Sequence, residues 1–401
     1  MNFFSNKTLF RTFFVILQFN ISHMKILFKV FLASFIFVSC TNNSNSKTNK
    51  TKPKLIGKVK YAKGFDIQHF NNSIKLIIKS PYPKATQHLE YILTTNKNSS
   101  SMFPKGTLIN TPLRSVVVTS TTHIPMLELL GVENTLVGFP HTKYISSKKT
   151  RKLITNNTIK EVGVKAALNT EMLLDLKPDA VIGFSMSKTN KSLNLIEKSG
   201  IPVLLNGDWL EETPLGRAEW IKFFGVLYNK EKEADSIFNA IEKNYLDAKR
   251  IASSAKNSPS ILSGAIMSKD IWNLPAGESF VAQFLKDANT NYLWKTSKGK
   301  GSLSISFETA LDKGKNAELW IAPGYFKSKE QMLSRNNNYQ TFNAFKNDNL
   351  FTCANTVGGT GGIIYFELGP ARPDLVLKDI IKIAHPQLLK NYSLTFFSKM
   401  K

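Results

Sequence analysis

From residue 115 to residue 205 the sequence repeats one unit, a short apolar run followed by a helix-spaced segment, and this alternation restricts the fold more than any other feature. Residues 115–118, Ser-Val-Val-Val, read as a buried strand. The polar stretch Thr119 to Thr122 follows. Helical spacing then runs through Met126, Leu127, Leu129 and Leu130, and Gly131 stops it. Residues 136–138 make the next strand, 169–176 a short helix, 178–183 a strand, 193–197 a helix closed by Ser199-Gly200, and 201–205 a strand. Alternation on this scale predicts a mostly parallel sheet between two helical layers, a three-layer α/β lobe. Upstream, Lys75-Leu76-Ile77-Ile78 suggests an early strand in a small N-terminal β portion.

The pattern changes at Thr213-Pro214. Threonine suits a helix N-cap and proline the first helical position. The chain then reads helical to about residue 253, weakly interrupted at Tyr228-Asn229. Ala218, Ile221, Phe224 and Tyr228, then Ala234, Ile237 and Ile241, supply its apolar face. One long helix, or two in close succession, fits a connector better than a third domain. The α/β pattern resumes after 256–260, with a strand at 261–267, helices at 279–286 and 307–313, strands at 318–321 and 350–354, and an amphipathic helix at 373–384. The expected division is therefore 57–212, 213–255 and 256–401. An internal echo supports two lobes: Glu171 precedes Ala180 by the same offset at which Glu308 precedes Ala317. Each glutamate opens a helix that feeds a strand, where exposed N–H groups favour its charge. A plain capping role and a docking role, one per lobe, both fit.

The first residues carry an export signature. Met24-Lys25 begins a short basic region, residues 26–38 are almost entirely apolar, and Ser39-Cys40 precedes the polar tract TNNSNSKTNKTKPK. A cysteine directly after the small residue points to lipoprotein processing, with Cys40 lipidated and residues 1–39 a leader. An ordinary transmembrane helix is the alternative, but the run is short for a bilayer. A second apolar run before Met24 makes Met24 the simplest true start, although a long leader from Met1 also fits. Residues 40–56 are a lysine-rich tether near a membrane. With Cys40 lipidated, Cys353 has no disulfide partner and reads as a small core residue. The formal net charge of +24 does not imply nucleic acid, because lysine is spread along the whole chain, commonly beside asparagine, without a basic helix or basic-aromatic stripe.

No catalytic constellation is present: the sequence has no G-x-S-x-G elbow, no phosphate-binding loop and no H-E-x-x-H. The run Gly358-Gly359-Thr360-Gly361-Gly362 is not a nucleotide fingerprint and reads as a tightly turning or mobile loop at a cleft rim. Histidines are scattered, with no short-spaced pair for a metal cage; His123 and His141 each follow a first-lobe strand and are the two that could meet. No cofactor and no dedicated metal site are expected, and the chain reads as a non-enzyme.

Several blocks carry a family resemblance: TEMLLDLKPDAVIG at 170–183, IPVLLNGDWLEETPLGRAEWIKFFG at 201–225, LPAGESFVAQFLKDAN at 274–289, LSISFETAL at 303–311, and YFELGPARPDLVLKDIIKIAHPQLL at 365–389. In order and spacing the chain resembles periplasmic binding proteins of the cobalamin, ferric-siderophore and haem import class, particularly lipoprotein members from Bacteroidetes-like bacteria. The resemblance implies an α/β fold of two Rossmann-like lobes joined by a rigid interlobe helix, with only modest closure on ligand. It implies an ABC permease dimer with its ATPase as partner, docked through Glu171 and Glu308. It implies a metal-chelate or macrocyclic cargo, and Thr121, Trp209, Arg217, Trp272, Tyr325 and Arg372 as cleft candidates. Three of these have a structural alternative: Trp209 anchoring the connector, Trp272 in the core, Arg372 capping its own domain. Competing readings are a lipid-anchored sensor or storage protein and a surface α/β hydrolase.

Overall fold

The computed structural model describes residues 58–95, 106–164 and 167–401. The leader, Cys40 and the tether expected at 40–56 lie outside the described residues.

The chain first forms a four-stranded sheet of β1 (Phe65–Phe70), β2 (Ser73–Ile78), β3 (Leu89–Thr94) and β4 (Thr107–Asn110). The pairs β1–β2 and β2–β3 are antiparallel, and β4 joins β3 in parallel. Alternation in FDIQHF buries Phe65 and Ile67 and turns Asp66 and Gln68 outward. Of these strands, β2 was legible beforehand as the run around Leu76.

Next come β5 (Val116–Val118), α1 (His123–Leu129), β6 (Leu136–Phe139), α2 (Lys148–Thr155), β7 (Lys160–Glu161), a small hairpin β8 (Gly163–Val164) and β9 (Ala167–Leu168), α3 (Thr170–Leu176), β10 (Ala180–Gly183), α4 (Lys191–Lys198) and β11 (Val203–Leu205); α2, β7 and the hairpin are additions to the alternation read from the sequence. The sheet order is β11-β10-β5-β6-β7, parallel throughout. Alternate residues of its central strands enter different cores. Val116, Val118, Ala180 and Ile182 face one, while Val117 and Val181 face the other. Burial on both faces is why these strands are continuous apolar runs.

The connector is helical but broken twice, into α5 (Pro214–Glu219), α6 (Ile221–Leu227) and α7 (Glu231–Ser253). Thr213 Oγ1 accepts from Gly216 N at 3.0 Å and Pro214 sits in the first turn, as the Thr-Pro signal implies. The second break falls where expected, with Asn229 in the left-handed region at φ 55°. The 23-residue α7 spans about 34 Å. Its buried stripe crosses from one core to the other: Ala234, Phe238 and Ile241 pack with the first lobe, Tyr245, Ala248 and Ala252 with the second.

The start of the described chain is fastened to this connector. Glu219, wholly buried, accepts from Lys60 N (2.7 Å), Tyr61 N (2.6 Å) and Ala62 N (2.9 Å), and Lys222 Nζ lies 3.1 Å away. Glu211 accepts from Lys63 N, Gly64 N and Trp220 Nε1 at 2.8–3.0 Å. Glu242, midway along α7, takes Lys60 Nζ and the Tyr61 hydroxyl, and Tyr61 packs against both cores.

The second lobe contains β12 (Ser260–Ser263), β13 (Ala265–Ser268), β14 (Ile271–Pro275), α8 (Phe280–Asp287), β15 (Asn291–Tyr292), β16 (Ser302–Ser306), α9 (Phe307–Gly314), β17 (Leu319–Ile321), α10 (Lys329–Arg335), β18 (Leu350–Thr352), α11 (Ile364–Leu368), α12 (Pro373–Ala384) and β19 (Ser398–Lys399). Its main sheet runs β15-β12-β17-β18-β19, with only β19 antiparallel. The single strand expected over 261–267 is two strands in different sheets. Gly264 turns the chain between them at φ 78°, and a Cβ there would lie 1.9 Å from Asn273 O. Strand β13 then joins the antiparallel sheet β13-β14-β16.

Trp272, on β14, corrects the cleft assignment made for it. Its ring has no solvent exposure, stacks on Trp320 at 5.2 Å and sits among Phe307, Tyr339 and Phe342, and its Nε1 donates to Ser263 O at 3.0 Å. It is a core residue.

Candidate functional site

In both parallel sheets the chain fills one side of its first strand and then crosses to the other. The crossing lies between β5 and β10 in the first lobe and between β12 and β17 in the second. In open α/β sheets, ligands bind outside the carboxyl ends of the strands at such points. The loops that leave these strand ends carry large apolar side chains that are not packed away. After β10 come Phe184 and Met186, after β6 comes Tyr144 at 55% exposure, and after β17 comes Tyr325 at 61%; Phe366, on α11, lies 5.8 Å from the Tyr325 ring. A cavity of about 310 Å³ opens at the first-lobe ends, lined among others by Thr119, His141, Phe184 and Met186. Exposed aromatics gathered near the two switch points offer ring faces to which a flat or bulky molecule could stack.

Arg217 lies behind this face. Its guanidinium sits 3.6 Å from the centre of the Phe280 ring, Nη2 donates to Trp209 O at 2.7 Å and Nε to Glu211 O at 3.3 Å. It borders a cavity of about 300 Å³ walled by Thr122, Phe280, Phe284, Tyr365, Phe366 and prolines 214, 370 and 373. Burial pulls its pKa down, against the field of Asp208, Tyr365 and Glu211. Carbonyl oxygens and a ring face hold this cation, and among the described residues no carboxylate pairs with it directly. An anionic group entering the cavity would meet a partly desolvated, preoriented fork of donors.

The two lobes also touch along one edge. Glu367 of α11 is almost fully buried, and its carboxylate accepts Ser146 N at 2.7 Å and Ser147 N at 2.8 Å, from the loop between β6 and α2. Burial raises the Glu367 pKa; the serine hydrogen bonds oppose that, and Glu128 adds to it. Glu128 itself accepts the hydroxyls of Ser147 and Thr150. The glycine-rich run is the matching surface. Thr360 Oγ1 donates to Lys143 O at 2.7 Å, a Cβ on Gly362 would lie 2.2 Å from Tyr144 O, and one on Gly358 would lie 2.5 Å from Ser146 Cα. These glycines permit backbone-to-backbone contact between the lobes.

The candidates distribute unevenly over this geometry. Arg217 and Trp209 meet, through the Trp209 carbonyl, and the buried Trp209 Nε1 has no partner among the described residues. Thr121 lies half-buried in the loop after β5, beside Thr122 of the Arg217 cavity. Tyr325 is exposed beside Phe366. Arg372 is engaged instead with Asp374, through Nε–Oδ1 and Nη2–Oδ2 contacts of 2.9 Å each, at the start of α12. His123 and His141 do not share a site: His123 is wholly buried against Phe224, whereas His141 lines the first-lobe cavity. Glu171 and Glu308 are both exposed in the first turns of α3 and α9, behind the N-caps Asn169 and Ser306. Sequence reasoning missed Tyr144, Phe184, Met186, Phe366 and Glu367. The available signal for the first three was a large apolar residue in a polar loop directly after a strand.

A family model described as periplasmic binding protein matches residues 116–357. Among curated relatives, an uncharacterized lipoprotein of Methanocaldococcus jannaschii, MJ0878, is 27% identical over 384 residues, covering 89% of this chain and 90% of that one. Among solved structures, a periplasmic heme binding protein from Pseudomonas aeruginosa superposes with a TM-score of 0.55 at 18% identity, over 72% of this chain and 98% of that one. A possible iron-binding (periplasmic solute-binding) protein from Staphylococcus epidermidis gives 0.53 at 19%, over 68% and 99%.

Proposed function

We propose, from the fact that this chain belongs to the periplasmic binding protein family, that it is the substrate-binding component of an ABC importer for an iron-siderophore, haem or cobalamin-like chelate. The carrying observation is the set of exposed aromatics at the strand ends of both lobes, Tyr144 and Phe184 in the first and Tyr325 and Phe366 in the second, with the Arg217 guanidinium in an apolar cavity that Phe366 also lines. Rings offer stacking area to a macrocycle or a catecholate face, and an underneutralised guanidinium offers a bidentate partner to a carboxylate at its edge. The similar structures named for heme and iron binding support the same class of cargo.

In this reading the lobes are residues 57–212 and 256–401, and 213–255 is the connector. The exposed Glu171 and Glu308 are the docking pair for the permease dimer and its ATPase. Each stands in the first turn of a helix, so its charge is held at a fixed place on the surface. Cys40 carries the lipid that holds the protein at the outer face of the cell membrane, in keeping with the lipoprotein relative. Among the described residues no helix is long and apolar enough to cross a membrane.

Intrinsic fluorescence titration of the chain beginning after Cys40 tests the proposal, using ferric siderophores, haemin and cobalamin in parallel with metal-free controls. Saturable quenching by one class at micromolar concentration or below is the expected result. A folded protein that responds to none of them refutes the cargo assignment.

A further inference from the structure

The loop from His141 to Ser147 carries the exposed Tyr144 and belongs to the first lobe, which buries Ile145 and holds the Ser147 hydroxyl through Glu128, yet its backbone from Lys143 to Ser147 is also gripped by the second. On its own lobe, Glu161 accepts the amide and hydroxyl of Thr142 at 2.8 and 2.7 Å, and Arg151 Nη1 donates to Thr142 O at 2.7 Å. These contacts fix the start of the loop. Past Tyr144, the backbone amides of Ser146 and Ser147 go to the Glu367 carboxylate. The carbonyls of Lys143 and Tyr144 lie against Thr360 and Gly362. Each is a contact between lobes, more than 200 residues apart in the chain.

We propose that Glu367, with Gly358 and Gly362, is a cross-lobe clasp that positions Tyr144, so that the first lobe's aromatic wall is set by a carboxylate of the second. This rests on the cargo reading for its ligand and deepens it: the cleft has one fixed edge, and cargo enters and leaves by the other. Glu367 touches no ligand and acts through Ser146 and Ser147, as a positioning residue. Two adjacent amides, one to each carboxylate oxygen, define an orientation, which a single contact would not. The close approach at Gly358 and Gly362 then fixes the distance. A glutamine at 367 keeps the volume but turns an N–H donor towards one of the two amides, so it breaks half the clasp without opening a cavity.

The first measurement needs no ligand. Hydrogen exchange of the lipid-free chain is followed over residues 141–147 in the wild type, Glu367→Gln and Gly362→Ala. The clasp requires exchange at one or both of Ser146 and Ser147 to accelerate by about tenfold or more in each variant, while peptides from β5 and β10 remain as protected as in the wild type. Unchanged exchange at the two serines overturns the proposal. Equal acceleration across the whole first lobe also overturns it, since the contact would then be general packing.

The second measurement follows cargo dissociation, using whichever of ferric siderophore, haemin or cobalamin saturates the wild type. Tyr144→Ala and Glu367→Gln should raise the off-rate by similar factors and the double variant by no more than either alone, with on-rates little changed. Additive effects overturn the positioning role. If the wild type binds none of the three, the cargo reading fails, and the exchange result still decides whether the clasp exists.

Discussion

Replacing Arg217 with methionine separates affinity from stability, because the two should move differently. In the folded protein the guanidinium is largely removed from water and is held by two carbonyl oxygens and the Phe280 face. Losing those contacts costs about 1–3 kcal/mol. Relieving a desolvated cation of similar volume returns a comparable amount, as replacements of buried charges by apolar side chains have shown. The melting temperature should therefore stay within a few degrees of wild type or rise. Binding has no such compensation. A charge-assisted contact between the fork and a cargo carboxylate is worth about 1.5–3 kcal/mol, or roughly 10- to 150-fold in Kd.

The assay is a fluorescence titration of both proteins with the carboxylate-bearing chelate that saturates the wild type, and with the same chelate esterified at its carboxyls. Wild type should prefer the free acid by that factor, and Arg217→Met should bind acid and ester alike. An undiminished preference in the variant refutes the reasoning. So does a fall in melting temperature of ten degrees or more, which would make Arg217 a structural cation.

Three further outcomes follow from the packing. Gly264→Ala forces a Cβ into the Asn273 carbonyl at a left-handed position, and chemical denaturation should show a loss of about 3 kcal/mol or more, or failure to fold. Trp272→Leu should lower stability by about 2–4 kcal/mol through the cavity left beside Trp320, yet leave cargo affinity unchanged once the protein is folded; a selective affinity loss would return Trp272 to the cleft. Cys353, whose thiol is pushed up to about 11 by burial, should resist alkylation at pH 8 and react rapidly once denaturant unfolds the second lobe, and mass spectrometry reads both states.

Local signals carried the first parallel sheet. Val116–Val118 and Ala180–Gly183 are apolar on both faces, and Asn169 and Gly131 mark neighbouring helix ends, so type and boundary agree within short windows. The second lobe was harder. A run that is apolar through Gly264 looks like one strand, and only the Asn273 carbonyl pressed against that glycine makes it two. Strands β14 and β16, IWNLP and SLSIS, were not read from the sequence although SLSIS alternates polar and apolar residues, because each is only five residues long and its partner lies some 30 residues away across an antiparallel pair. Trp272 and Arg372 show the same difficulty for the site. An aromatic at a strand end and an arginine before a helix fit a cleft equally well, and only the Trp320 stack and the Asp374 pair tell otherwise. Glu367 gave no local sign, since its partners lie some 220 residues away.

The fastening of Lys60 to Gly64 bears on how such a molecule behaves on a leash. Glu219, Glu211 and Glu242 grip that segment where the α7 stripe passes from one core to the other, and Tyr61 lies against both. Any pull arriving along the preceding chain is delivered near the pivot, where it has almost no lever arm on either lobe. Under the proposed Cys40 anchor, drag and thermal tugging would swing the whole body about its mooring without prising the lobes apart, leaving the proposed docking residues Glu171 and Glu308 free to find their counterpart.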